Sequence, residues 1–289
     1  MRAAGPGSTS WSAASTAEGL DRPGPRRVGC QHRVVPVHEV AAAGFDSGAD
    51  AYERARPSYP PDAVAWLAGA LRLGPARRLV DLAAGTGKLT RLLAPTGAFT
   101  MAVEPVEGMR RVLAATLPEV PVVAATAEAL PLADASVDAV TVAQAFHWFD
   151  AEAAFAELAR VVRTGGGVAM VWNARDRSVD WVDQLWTVMD RVERRAPWRD
   201  RGRWSDAALG ERVGFGPLRA ATFRHEQRVT PDQIRDRIAS VSHVAALPEA
   251  ERRLLLDEIA VVLATHPATA GRAELAIPYR VDAYACERR

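Results

Sequence analysis

The sequence predicts an α/β protein: a mostly parallel seven-stranded sheet with helices on both faces and a small helical cap in the carboxyl-terminal third. Three observations predict it. Short apolar runs rich in Val, Leu and Ala alternate with segments of helical period from Pro60 to Asn173, the pattern of strands joined by crossover helices. A glycine turn, Gly85-Thr86-Gly87, stands between the first apolar run and its helix. Beyond Asp176 the pattern changes to longer helical stretches broken by two more strands.

Pro60 and Pro61 start a helix through Val64 and Leu67 to about Leu71, because a fixed φ and a missing N–H suit the first helical turn. Strands are predicted at Arg78 to Ala83, Phe99 to Glu104, Val120 to Ala125, Val137 to Gln144 and Gly167 to Asn173. Between them, helices are predicted at Lys88 to Leu93, Glu107 to Leu117 and Ala151 to Arg163. In the last of these Phe155, Leu158, Val161 and Val162 share one face, as in a helix packed on a sheet. Further on come a helix near Trp181 to Arg195, a strand at Leu218 to Val229, two helices from Pro231 to Leu263 and a strand from Leu275. Leu275, Ile277, Tyr279, Val281 and Ala283 alternate with polar or small residues, and Pro278 places that strand at an edge or a bulge.

Composition narrows the partners. The chain has 289 residues, 48% hydrophobic and 25% charged, ordinary values for a soluble globular protein. With 36 basic against 35 acidic side chains it has no bulk attraction for nucleic acid or an anionic membrane. Cys30 and Cys286 lack ligand spacing, so neither a disulfide framework nor a metal site is expected, and the setting is reducing cytosol. The pair Arg26 and Arg27 is followed by Gln31, His32 and Arg33 where a targeting signal needs an apolar core. No apolar run approaches the roughly 20 residues of a membrane helix. Residues 1–44, rich in Gly, Pro, Ser, Ala and Arg, read as a disordered extension. That leaves a core over 45–176, and a cap with the last two strands over 177–289.

The chemistry starts at the glycine turn. Gly85 and Gly87 can take positive φ and let a ligand lie against their backbone, while Asp81 stands at a strand end. Glu104 closes the next strand. Two carboxylates at neighbouring strand ends beside a glycine turn suggest a nucleoside site. A nicotinamide dehydrogenase uses similar parts, but Thr90 occupies its third glycine position. A phosphate-binding loop fails because Leu89 replaces the hydroxyl residue after Lys88, and Leu82 replaces the leading glycine. A catalytically inactive nucleoside-binding regulatory domain is the third alternative.

Asp81, Ala83, Gly85, Thr86 and Gly87, then Glu104, Pro105 and Met109, resemble the cofactor motifs of class I S-adenosylmethionine-dependent methyltransferases, whose sheet is Rossmann-like. Ala127 to Pro131, Ser136 to Asp138 and His147-Trp148-Phe149 are similar to the small-molecule branch that contains trans-aconitate methyltransferase-like proteins. The resemblance spans roughly Phe45 to Asn173. It implies that the loop approaches the methionine moiety, that Glu104 accepts from both ribose hydroxyls, and that Met109, Thr126, Ala127 and Glu128 line the adenine. Gln144 and Ala145 complete the implied cofactor set, and Tyr52 and Arg56 belong to a segment that folds over the cofactor. Thr126 stands where many relatives have an aspartate, and Thr164 where a proline is frequent. Ala83 replaces the first loop glycine, which negative φ there would accommodate. His147 is the catalytic candidate, as a general base for an alcohol or amine, whereas a carboxylate held by Arg56 needs none. Trp148 and Phe149 are expected to pack, and the Trp- and Arg-rich stretch from Trp181 to Trp204 to form a lid over a small-molecule methyl acceptor.

Overall fold

A computed structural model of the chain describes Glu53 and residues 56–193 and 214–289. The predicted disordered extension, Tyr52, Trp198 and Trp204 lie outside the described residues. In chain order the elements are α1 (Pro61–Ala70), β1 (Arg78–Leu82), α2 (Lys88–Leu93), β2 (Phe99–Val103), α3 (Glu107–Thr116), β3 (Val122–Val123), β4 (Val137–Ala143), α4 (Ala151–Val161), β5 (Val162–Arg175), α5 (Asp180–Glu193), β6 (Arg219–Val229), α6 (Pro231–Ala239), α7 (Ser242–Ala245), α8 (Glu249–Thr265) and β7 (Leu275–Glu287).

The strands form one seven-stranded sheet in the order β3-β2-β1-β4-β5-β7-β6. β1 to β5 run parallel, and β7 is antiparallel to both β5 and β6. Alternation along the strands divides the core. Val80, Val140 and Val168 face α4 through Phe155, Leu158 and Val161. Leu79, Ala139 and Ala169 face α1 and α2 through Ala63, Leu67, Leu89 and Leu93. A third cluster joins α5, α6 and α8 over the start of β7, with Trp181 and Trp186 buried in it. The tryptophans of α5 thus serve as the aromatic centre of a helical cap.

Several expectations change. The third strand shrinks to two residues, paired with Ala102 and Val103, because only Val122 and Val123 reach β2. β5 is longer than predicted at both ends. Its start carries an irregularity, since Val162 pairs with Val137 and Gly167 with Ala139. Gly165 takes φ 76°, and a Cβ at Gly166 would lie 2.5 Å from the Asp138 carbonyl oxygen, so glycine suits this insertion and proline is not needed. Its far end continues along β7 to the Arg175–Tyr279 pair after β4 has ended. Three helices rather than two occupy the stretch after Pro231. β7 is central rather than an edge, yet Pro278 fits. Its carbonyl accepts from the Asp176 N–H at 3.0 Å, so its missing N–H faces the same side, one residue past the last β5–β7 pair.

Parallel pairing brings the carboxyl ends of the central strands level: Leu82 lies beside Val103 and Val142, and Ala143 beside Val171. The loops after β1, β2 and β4 leave from that one edge, which forms the ligand crevice of such sheets.

Candidate active site

The loop after β1 is wound by positive φ at three positions: Ala83 at 53°, Gly85 at 58° and Gly87 at 83°. The expectation of negative φ at Ala83 is therefore corrected; an alanine in the left-handed region stores about 1 kcal/mol of strain. The two glycines do different work. Among the described residues a Cβ on Gly85 would meet nothing within 4 Å, so none of them covers that backbone. A Cβ on Gly87 would stand 3.0 Å from Leu113 Cγ and 3.2 Å from Leu117 Cδ1, so Gly87 lets α3 approach the loop.

Glu104 sits just past β2, 5% exposed. Its Oε2 accepts from the Gly85 N–H and its Oε1 from the Val106 N–H, each at 2.8 Å. An ionised carboxylate has roughly four acceptor positions, so both oxygens keep capacity for a further donor. Burial raises its pKa against the lowering effect of those two backbone N–H groups. Arg110 braces the turn by donating to the Glu104 and Pro105 carbonyls at 2.9 and 2.6 Å.

Asp81 takes a different place from the one its sequence position suggests. It is fully buried, with Oδ2 accepting from Thr90 Oγ1 at 2.5 Å and Oδ1 from Thr141 Oγ1 at 2.8 Å. Burial lifts its pKa to about 6 despite both hydroxyls. With no exposed surface it cannot touch a ligand in this conformation; it ties β1 to β4 and α2 beneath the loop. Thr86 likewise turns inward, its hydroxyl donating to Glu53.

On the far side of Glu104, Met109 is 3% exposed and packs with Val106. Thr126 bridges to Ala129, and Ala127 joins the core. Glu128 accepts from the Asp150 N–H at 2.9 Å, so its carboxylate helps fix the loop before α4. At the end of β4, Gln144 takes φ 59°, a second strained non-glycine position at this edge, and Ala145 is buried. His147 lies half-buried in a short 3-10 turn, Phe146–Trp148, its ring 4.9 Å from that of Trp148. Burial, and then the positive charge of Arg56, lower its pKa to about 4. Phe149 is buried against Phe146, and Trp148 packs on the same cluster, so both serve as packing.

The structure thus gathers Gly85, Glu104, Met109, Gln144, Ala145, His147 and Arg56 around one edge of the sheet. It adds residues that the sequence did not announce. Thr90 and Thr141 partner Asp81, and Glu53 meets the loop. Hydroxyls spaced along a helix and a strand give no linear signal; only the fold brings them together.

A family model described as a methyltransferase domain matches residues 80–170. An uncharacterized methyltransferase of Mycobacterium tuberculosis is 43% identical over 235 residues, covering 81% of this chain and 91% of its own length. A methyltransferase-like protein of Schizosaccharomyces pombe is 32% identical over 253 residues, 87% of this chain and 98% of that one. Among solved structures, a protein assigned as a type II methyltransferase from Anaeromyxobacter dehalogenans superposes with a TM-score of 0.59 at 29% identity, covering 81% and 97% of the two chains.

Proposed function

The chain belongs to the class I S-adenosylmethionine-dependent methyltransferases, and on that premise we propose that its methyl acceptor is a small molecule bearing a carboxylate. S-adenosylmethionine supplies an electrophilic methyl group on a sulfonium that is already a good leaving group. The residues present suit it. Gly85 offers backbone that no described residue covers, and Glu104 keeps acceptor capacity for two adjacent ribose hydroxyls, bonds worth about 1.5 to 3 kcal/mol each. Met109 offers polarizable surface for an adenine.

His147 beside Arg56 carries the acceptor reading. An imidazole whose pKa lies at about 4 is neutral at physiological pH but a weak base. It gives little drive to pull a proton from an alcohol or ammonium. A carboxylate arrives ionised, needs no base, and is drawn toward the Arg56 guanidinium, which is always charged. The protein then has to align the two reactants and exclude water. Within this reading residues 45–176 are the cofactor core, 177–289 provide a cap and two closing strands, and the enzyme works in the cytosol. The trans-aconitate methyltransferase-like branch is the subfamily proposed.

The test is to incubate the protein with methyl-labelled cofactor and a metabolite extract. A methyl ester releases its label as volatile methanol in mild alkali. Label that survives as an ether or N-methyl product would replace the carboxylate with an alcohol or amine and make His147 the base.

A further inference from the structure

At the outer end of the cap, between the start of α5, the turn that follows α8 and the paired ends of β6 and β7, lies a cavity of about 320 Å³. Its volume falls within the roughly 300 to 1,000 Å³ of small-molecule sites. It stands apart from the crevice. Ala283 of β7 shares a row with Val171 and Ala143 at the crevice edge, and Leu275, which lines the cavity, stands eight positions further along the same strand, about 26 Å away at 3.3 Å per residue.

The cavity wall is fixed by hydrogen bonds. In the turn after α8, Thr269 is 1% exposed and its hydroxyl donates to the Leu263 carbonyl at 2.8 Å. The Arg272 N–H donates to the Thr269 carbonyl at 3.2 Å. His266 Nδ1 accepts from the Ala268 N–H at 3.1 Å, and its Nε2 meets Asp180 Oδ2 at 2.9 Å, which ties the turn to the first residue of α5. Ala268 and Arg272 line the cavity together with Trp181, the next residue of α5, whose side chain is buried in the cap cluster. The walls are therefore set before any ligand arrives.

The chemistry of the lining selects the occupant. Trp181 and Leu275 supply apolar surface. Arg228 lies 3.0 Å from Glu274, so those two charges answer each other. Arg272 supplies the remaining charge, and its guanidinium has no hydrogen-bond or ion-pair partner among the described residues. Such a planar fork matches a carboxylate with two parallel hydrogen bonds. We propose that this cavity is a second ligand site, for a small carboxylate with an apolar body, its carboxylate on Arg272 and its body against Trp181 and Leu275. It fills independently of the adenosyl ligand, because none of its lining residues belongs to the crevice. The inference does not depend on which group the crevice transfers.

Phenylacetate tests it on the full chain, with uncharged phenylacetamide as the comparison. In protein carrying nitrogen-15 tryptophan, phenylacetate should shift the Trp181 indole N–H signal, identified by its loss in Trp181→Phe, and saturate with a Kd of about 1 mM or tighter. Phenylacetamide, and Arg272→Gln with phenylacetate, should each bind at least about fivefold more weakly. Arg253→Gln, an exposed arginine of α8 outside the cavity, should leave the affinity unchanged. Saturating S-adenosylhomocysteine should change the phenylacetate Kd by less than about twofold. Absence of a saturable Trp181 shift, or a loss smaller than fivefold in either comparison, would overturn the proposal. Competition by S-adenosylhomocysteine would overturn it too, by placing the acid in the crevice. If Trp181→Phe does not fold, calorimetry of the amide and of Arg272→Gln decides by the same limits.

Discussion

At the scale of single residues, the buried Asp81 and the half-buried His147 titrate in opposite senses near the crevice. Asp81 has a folded pKa of about 6 against an ordinary 3.8, so the native state binds more protons than the unfolded chain, and stability falls as pH rises through that window. His147 has a folded pKa of about 4 against 6.5, so the native state binds fewer, and stability grows as pH rises through nearly the same window. The two trends offset each other in the native protein. Denaturant unfolding between pH 4 and 6.5 should therefore show a steeper rise with pH in Asp81→Asn, and a fall with pH in His147→Ala; parallel curves for both variants and the native protein would contradict these assignments. His147 also has a kinetic test. If the acceptor is a carboxylate, His147→Ala should cost less than about tenfold in kcat, whereas a loss of 10² to 10⁴ is the mark of a general base.

At the scale of elements, the turn from β1 into α2 concentrates the backbone demands. Gly87→Ala forces an alanine to φ 83° and a Cβ against Leu113 at 3.0 Å, so it should destabilise the fold by about 2 kcal/mol or more in denaturant titration. Gly85→Ala meets no described residue within 4 Å, so it should keep more stability while weakening cofactor binding. Equal stability losses would mean that both glycines serve only packing. The sequence spelled out this turn well, since glycines between an apolar strand and a helix have few other uses. It also revealed Lys88–Leu93 to the residue and the type of every strand. What it hid depends on neighbours. β3 is short because only Val122 and Val123 pair with β2, the extension of β5 follows from β7, and the central place of Pro278 from where β5 stops. The burial of Asp81 was illegible for the same reason: Thr90 and Thr141 lie on other elements and meet it only across the sheet.

At the scale of the whole molecule, the sheet order sets three loops along one edge, and the cap built on Trp181 and Trp186 joins the wing that β6 and β7 form. Among the described residues no helix is long and apolar enough to cross a membrane. A ligand that binds only the folded crevice must stabilise the entire cooperative unit, by about 2.7 kcal/mol at a hundred times its Kd. S-adenosylhomocysteine should accordingly raise the melting temperature by a few degrees, and NAD at the same concentration should leave it unchanged. A shift with NAD alone would favour the dehydrogenase reading of the glycine turn.

The proposed adenosyl site depends most on Glu104 and the loop it holds. Calorimetric titration of S-adenosylhomocysteine into the native protein and Glu104→Ala tests it directly. The native protein should bind, and the variant should bind at least about tenfold more weakly, a difference of roughly 1.4 kcal/mol, with its fold intact by circular dichroism. Equal affinity in the two proteins would contradict the grip of that carboxylate on the ribose.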